Sequence, residues 1–187
     1  MTGNEKFELD GNMLDFNYFN FWQFQYSNVY NLQEYIAEFL VAKALGLQES
    51  CNTEYWTLYD ILYQNMRIEV KQTSYYHPWN EGGKVSDQRT FNIAKANSHY
   101  ETGGSENRFE RLNDFYVFCL LNGDTKESTY PLNLNNWEFY VVTTAFINEH
   151  CGVNKTVSLG RIRNFGFKAL RLDEIKAEVD SIIDSND

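Results

Sequence analysis

Three side chains of chemically capable type fall close together in this 187-residue sequence: Asp60, Glu69 and Lys71. They belong to two runs rich in Tyr, Ile, Val and Thr, from Tyr55 to Tyr63 and from Met66 to Ser74, separated by Gln64-Asn65. Such runs read as the strands of a hairpin, although Gln-Asn is a weaker turn signal than Asn-Gly. With the turn at Gln64-Asn65, Tyr63 faces Met66 and antiparallel pairing sets Asp60 opposite Glu69. The side-chain period of two then puts Lys71 on the same face. Like charges directly opposite on neighbouring strands destabilise a hairpin, by up to about 1 kcal/mol, unless something positive lies between them. A divalent cation would remove the conflict. Carboxylate oxygens completed by water, a backbone carbonyl and a substrate phosphate suit Mg²⁺ or Mn²⁺. Such an ion polarises a phosphodiester and lowers the pKa of a bound water, and Lys71 would orient that water or stabilise charge on the phosphate. The plainer alternative is a solvated strand face on which the lysine offsets the acids.

The elements that must position these residues begin with a helix from about Asn31 to Leu45. Asn31 with Glu34 fits a capping box, Leu32, Ile36, Phe39, Leu40, Lys43 and Ala44 trace a helical stripe, and Gly46 ends it. Glu38 on this helix has Glu34, Tyr35, Val41 and Ala42 as its helical neighbours, so no base pairs with it there. Asp114 to Leu121 (DFYVFCLL) and Trp137 to Thr144 (WEFYVVTT) are nearly continuous in apolar character, as strands covered on both faces are. Residues 77–107 carry Gly82-Gly83, Gly103-Gly104 and one short strand candidate, Thr90 to Ala94, and read as a long loop region. An amphipathic helix from about Asp173 to Ile183 closes the chain. Helix, hairpin, strands and helix in this order predict an α/β domain, a mixed sheet covered by helices.

The length suits one domain, expected over residues 31–187, and residues 1–30 read as an aromatic N-terminal arm packed on it or on a second subunit. A base-stacking surface is the alternative for that arm. The formal net charge of −10 argues against binding nucleic acid by bulk electrostatics, so any such interaction must be local. Cys51, Cys119 and Cys151 are widely spaced and odd in number, which fits a reduced, cytoplasmic protein. His150-Cys151 lacks the spacing of a zinc site, and His77 and His99 have no partner pattern. The longest apolar stretch, Ile36 to Leu47, holds Glu38 and Lys43 and is too short for a membrane span or signal peptide.

Tyr59-Asp60-Ile61-Leu62-Tyr63 followed by Met66-Arg67-Ile68-Glu69-Val70-Lys71 resembles the PD-(D/E)xK signature of the restriction-endonuclease-like nucleases. Tyr59 stands where that signature has proline. Glu38, in Ala37-Glu38-Phe39, matches the helical acid that often joins the site, and the two later strands look like further core strands, so the likeness covers about half the chain. The resemblance implies a restriction-endonuclease-like mixed β-sheet flanked by α-helices. It also implies a metal held by Asp60, Glu69 and the Val70 carbonyl with support from Glu38, and a lysine, Lys71, that assists the attacking water. The implied activity is Mg²⁺-dependent endonucleolytic hydrolysis of phosphodiester bonds, with DNA the expected substrate and a homodimer a reasonable arrangement.

Lys155, Arg161, Arg163, Lys168 and Arg171 form a basic stretch with no acid among them. It reads as a nucleic-acid-binding stripe that positions a phosphate backbone, or as a solvated face balancing the acidic tail. Lys84, Arg89, Lys95, Arg108 and Arg111 would add to it, but nearby acids nearly cancel them. The other function to weigh is a catalytically silent domain that serves as a nucleic-acid-binding or assembly module.

Overall fold

The structure, a computed structural model, describes residues 2–26, 32–47, 59–76, 89–97 and 109–185. The Asn31 cap, the beginning of the strand expected from Tyr55, both glycine pairs, Cys51, Lys84, His77, His99 and Arg108 lie outside the described residues. The chain divides into two compact units, Met1–Gln33 and Glu34–Asp187.

In the first unit, strands β1 (Lys6–Leu9) and β2 (Asn12–Asn17) form an antiparallel hairpin whose turn residues, Asp10 and Gly11, both have positive φ. Helix α1 (Tyr18–Gln25) follows at once, because Asn17 accepts the Asn20 N–H while the Asn20 side chain accepts the Asn17 N–H. The aromatic stretch that shows no period in the sequence is thus half strand and half helix. Its rings pack locally, Phe7 on Phe16 at 5.1 Å and Tyr18 on Trp22 at 4.9 Å between centroids, and no residue of α1 is buried.

In the second unit, helix α2 (Gln33–Ala44) ends at Gly46, whose φ of +80° is the left-handed value that favours glycine. Gly46 N–H donates to the Lys43 carbonyl and Leu47 N–H to the Ala42 carbonyl, the paired bonds of a Schellman stop. Strands β3 (Ile61–Tyr63) and β4 (Met66–Ser74) are joined by Gln64 and Asn65, with φ of +49° and +63°. Left-handed conformation at both positions is what a type I′ turn requires. The pairing Ile61–Ile68, Leu62–Arg67, Tyr63–Met66 is the register expected from the sequence.

The region 77–107, read as a long loop, holds two short strands among its described residues, β5 (Thr90–Asn92) and β6 (Ala96–Asn97), and β7 (Phe109–Glu110) follows it. Strands β8 (Phe115–Leu121) and β9 (Trp137–Thr143) complete a four-stranded sheet of order β3-β4-β8-β9, in which β4 and β8 are parallel and the other neighbours antiparallel. Thr143 caps helix α3 (Thr144–Cys151), and β10 (Thr156–Ser158) pairs with β5 as a separate ribbon. Ser158 caps the short helix α4 (Leu159–Asn164), and helix α5 (Ile175–Asp184) closes the unit.

All seven residues of β8 are buried, so both faces of the sheet are covered. On one face Val117, Cys119 and Leu121 share a core with Ala37 and Val41 of α2 and with Ile175 and Val179 of α5. On the other, Tyr116, Phe118 and Leu120 pack with Phe91 and Val157 of the ribbon, Ile147 of α3 and Ile162 of α4. At roughly 1.5–3 kcal/mol per large apolar side chain, these two layers are the main force holding the sheet together. Their seam along β4 is where the polar residues lie. The expected mixed sheet flanked by helices is present, and among the described residues no helix is long and apolar enough to cross a membrane.

Candidate functional site

Strand β4 alternates. Ile68 and Val70 point into the α2 side, so Glu69 and Lys71 point to the opposite face, beside Tyr116 and Phe118 of β8. Lys71 Nζ lies 2.5 Å from Glu69 Oε1, and each of the two side chains is 22% exposed. Their carbon stems are therefore covered while the charged ends still reach solvent.

Asp60 falls just before β3. Its N–H donates to the Ile68 carbonyl at 3.1 Å, and its Oδ2 accepts the Val70 N–H at 2.7 Å. The Val70 N–H lies in the plane of the sheet, pointing to the β3 side, so the carboxylate that accepts it sits at the sheet edge. This differs from the sequence expectation that Asp60 shares a face with Glu69. A continued β3 would have offered a backbone carbonyl here; the aspartate side chain takes that place, and β3 is shorter than the run from Tyr55 suggested. Within a strand the N–H and C=O of one residue point the same way, so the Val70 carbonyl is directed to the Asp60 side as well.

Glu38 reaches this edge from α2. Burial and then the negative charge of Asp60 push its carboxyl up to about 7, with Glu34 and Glu69 adding to the rise and Lys71 opposing it. Burial also raises Asp60, against the pull of Lys71 and of the Val70 N–H. Glu69 is raised by burial and by Asp60, with Lys71 again opposing. Burial works against the charge on Lys71, but Glu69 and Asp60 outweigh it and hold the ammonium above the usual lysine range. The structure thus brings Glu38, Asp60, Glu69, Lys71 and the Val70 backbone into one electrostatic neighbourhood, with more acid than base. Among the described residues no group of three or more His, Cys, Asp or Glu side chains is arranged to close around an ion.

Glu34 was assigned a capping task in the sequence, yet its charge acts on Glu38, Asp60, Glu69 and Lys71 alike. The available signal was its spacing: four positions before Glu38, one turn away on the same helix face. Tyr116, paired with Glu69 across the parallel ladder, was also missed as a site neighbour. Burial pushes its hydroxyl up to about 12, with Arg111 opposing and Glu69 reinforcing.

A cavity of about 300 Å³ opens beside Glu69 and Lys71, with Lys95, Arg111, Asn113 and Tyr116 in its wall. Arg111 is a clamp: it donates to the Ile93, Gly152 and Asn154 carbonyls and to Asn148 Oδ1, at 2.7–3.0 Å. Asn113 donates to the Phe115 carbonyl and to Thr144 Oγ1, fixing the entry to β8. These bonds hold the cavity wall to the sheet.

The five basic residues of the C-terminal stretch do not form one uniform stripe. Arg163 bonds Glu138 Oε2 at 2.6 Å and the Tyr140 hydroxyl at 2.9 Å. Arg161 donates to the His150 carbonyl and lies over the Phe165 ring. Arg171 pairs with Asp173 at 3.5 Å, and Lys155 and Lys168 are exposed. No protein-family model, curated protein or solved structure matches this chain.

Proposed function

We propose that the chain is a metal-dependent nuclease of the PD-(D/E)xK type, hydrolysing phosphodiester bonds in nucleic acid, with DNA the first substrate to test. The observation that carries this reading is the surplus of carboxylate around a single lysine at the open edge of β4. Glu38, Asp60 and Glu69 are all raised, first by burial and then by neighbouring acids that Lys71 only partly offsets. The donors suit a hard cation: Asp60, Glu69 and the Val70 carbonyl would hold Mg²⁺ or Mn²⁺, with Glu38 behind them. Mg²⁺ is commonly bound through only one or two carboxylates plus water and substrate phosphate, so a closed cage of protein ligands is not required. A bound Mg²⁺ supplies charge to polarise the phosphodiester and to acidify a water.

The side chains contribute the rest. Val70 N–H fixes one Asp60 oxygen, Oδ2. Lys71, kept charged by Glu69, donates hydrogen bonds to a water or to a phosphate oxygen developing charge. Glu38, with a carboxyl at about 7, exchanges a proton near neutral pH, where a general base is most useful. The cavity beside Glu69 and Lys71 gives the substrate a place to approach.

A second reading, a silent module that binds or assembles without turnover, is favoured by the closeness of the Lys71–Glu69 pair and by the lack of a three-ligand group among the described residues. Calorimetric titration with Mn²⁺ of the wild type and of Asp60→Ala, followed by incubation with plasmid DNA, separates the two. The nuclease reading expects Asp60-dependent binding and cutting. Binding without cutting selects the module.

A further inference from the structure

A second cavity, of about 450 Å³, lies in the same unit and includes Tyr75, Arg89, Thr90, Ser158, Gly160 and Arg163 in its wall. Its relation to the first cavity follows from strand geometry. Thr90 and Asn92 are exposed on β5 with buried Phe91 between them, so both point the same way; Asn92 borders the Lys71 cavity and Thr90 borders this one. Lys71 of β4 and Tyr75, the residue directly after the end of β4, likewise line the two cavities. Four residues of strand span about 13 Å, close to four base steps of about 3.4 Å along one strand of DNA.

The lining is built for an anion. Among the described residues it contains two guanidinium groups and no acid. The Arg89 guanidinium carbon lies over the Tyr75 ring, 3.2 Å from its centroid, and Arg163 is oriented by the Tyr140 hydroxyl and Glu138. Glu138 offsets the charge of Arg163. Thr90 and Ser158 pair across the ribbon and bring two hydroxyls to the same place. Ser158 Oγ accepts the Arg161 N–H at 3.2 Å, which leaves its own hydrogen to donate. Gly160 keeps the space clear, since a Cβ there would meet nothing within 4 Å.

We propose that Arg89, Arg163, Thr90 and Ser158 hold a phosphodiester group of a nucleic-acid strand whose next segment lies over Glu69 and Lys71. The subsite rests on the nuclease reading for the identity of the strand and not for its own chemistry. It gives a net-acidic protein a local means of seating a polyanion, with planar donors that suit phosphate oxygens.

The test uses the full chain and a short fluorescein-labelled DNA strand, followed by anisotropy over a salt series with Ca²⁺ replacing Mg²⁺. Arg89→Gln and Gly160→Glu should each weaken binding about tenfold and flatten the salt dependence by about one released ion. Gly160→Gln, equal in size but uncharged, should lose less than Gly160→Glu; equal losses would overturn the electrostatic part of the proposal. Circular dichroism and thermal midpoints of the Gly160 pair check the fold, and the open space around Gly160 favours its retention. Wild-type affinity and salt slope in both Arg89→Gln and Gly160→Glu would overturn the subsite, as would a wild type that does not bind the strand. Failure of the nuclease reading shows differently, as wild-type binding without Mg²⁺-dependent cleavage.

Discussion

Two clusters of acid and base sit on one sheet and are resolved in opposite ways. On β9, Glu138 receives Arg163 at 2.6 Å, the Tyr140 hydroxyl at 2.7 Å and Asn122 at 3.0 Å. One acid meets one base, and the remaining donors saturate the carboxylate. On β4, Lys71 meets Glu69 at 2.5 Å, while Asp60 and Glu38 nearby are both raised, in each case first by burial. A balanced cluster serves the architecture. An unbalanced one costs stability, and it is there that the proposed cation would act.

The contrast breaks first at cleavage. Asp60→Ala and Lys71→Ala should each lower Mg²⁺-dependent cutting of plasmid DNA by at least about 100-fold, the scale of losing a group that stabilises developing charge. If both purified variants cut at the wild-type rate, the β4 cluster is not an active centre. Next in size is Arg111, which serves the fold. Its loss strands three carbonyls and Asn148, and Arg111→Ala should cost about 3 kcal/mol in urea unfolding. A cost below about 1 kcal/mol would show that water replaces the clamp.

A smaller effect follows from pH. Burial and the neighbouring acids push Glu38 up to about 7, so between its ordinary range and this value the folded protein holds a proton that the unfolded chain has released. Stability from this group is therefore full below the unfolded value and is lost as pH rises through the folded value. Discounted for its partial exposure, the loss is about 1 kcal/mol. Glu38→Gln should remove it, flattening the unfolding free energy between about pH 5 and pH 8, and Mg²⁺ should stabilise the wild type more at the upper end. An unchanged slope in Glu38→Gln would place the surplus charge elsewhere. Smallest of all, Glu138→Gln should cost no more than about 1 kcal/mol, as a partly exposed pair does, and should leave Mn²⁺ affinity intact. A change in that affinity would couple the two clusters.

Much of the scaffold was legible in the sequence where a local rule decides structure. Met66–Ser74, Phe115–Leu121 and Trp137–Thr143 declare themselves by β-branched and aromatic runs, and Gly46 ends α2 by its conformation. Where structure depends on distant partners the sequence was silent. Thr90 to Ala94 stood out as a strand candidate, of which β5 covers Thr90–Asn92, but its pairing was hidden because β10 lies far along the chain. Helix α3 starts directly after β9, so the apolar run conceals the change from strand to helix until Thr143 is seen capping it. Arg163 looked like one member of a stripe because Glu138 and Tyr140 are remote in sequence and near in space. At the site, residue types and register were legible. The in-plane seat of Asp60 was not, because it depends on a side chain taking a backbone position.

Cys119 sits on β8 with no exposed surface, and burial pushes its thiol well above the ordinary range, with Asp60 and Glu38 adding to the effect. Only the thiolate reacts with alkylating reagents, so this cysteine is silent in the closed protein and speaks only when the centre of the sheet parts. Its labelling rate is a built-in clock for that opening. A cation bound by the folded protein at the neighbouring edge would stabilise the closed sheet and slow the clock, making occupancy of the edge readable from a single sulfur atom at the heart of the sheet.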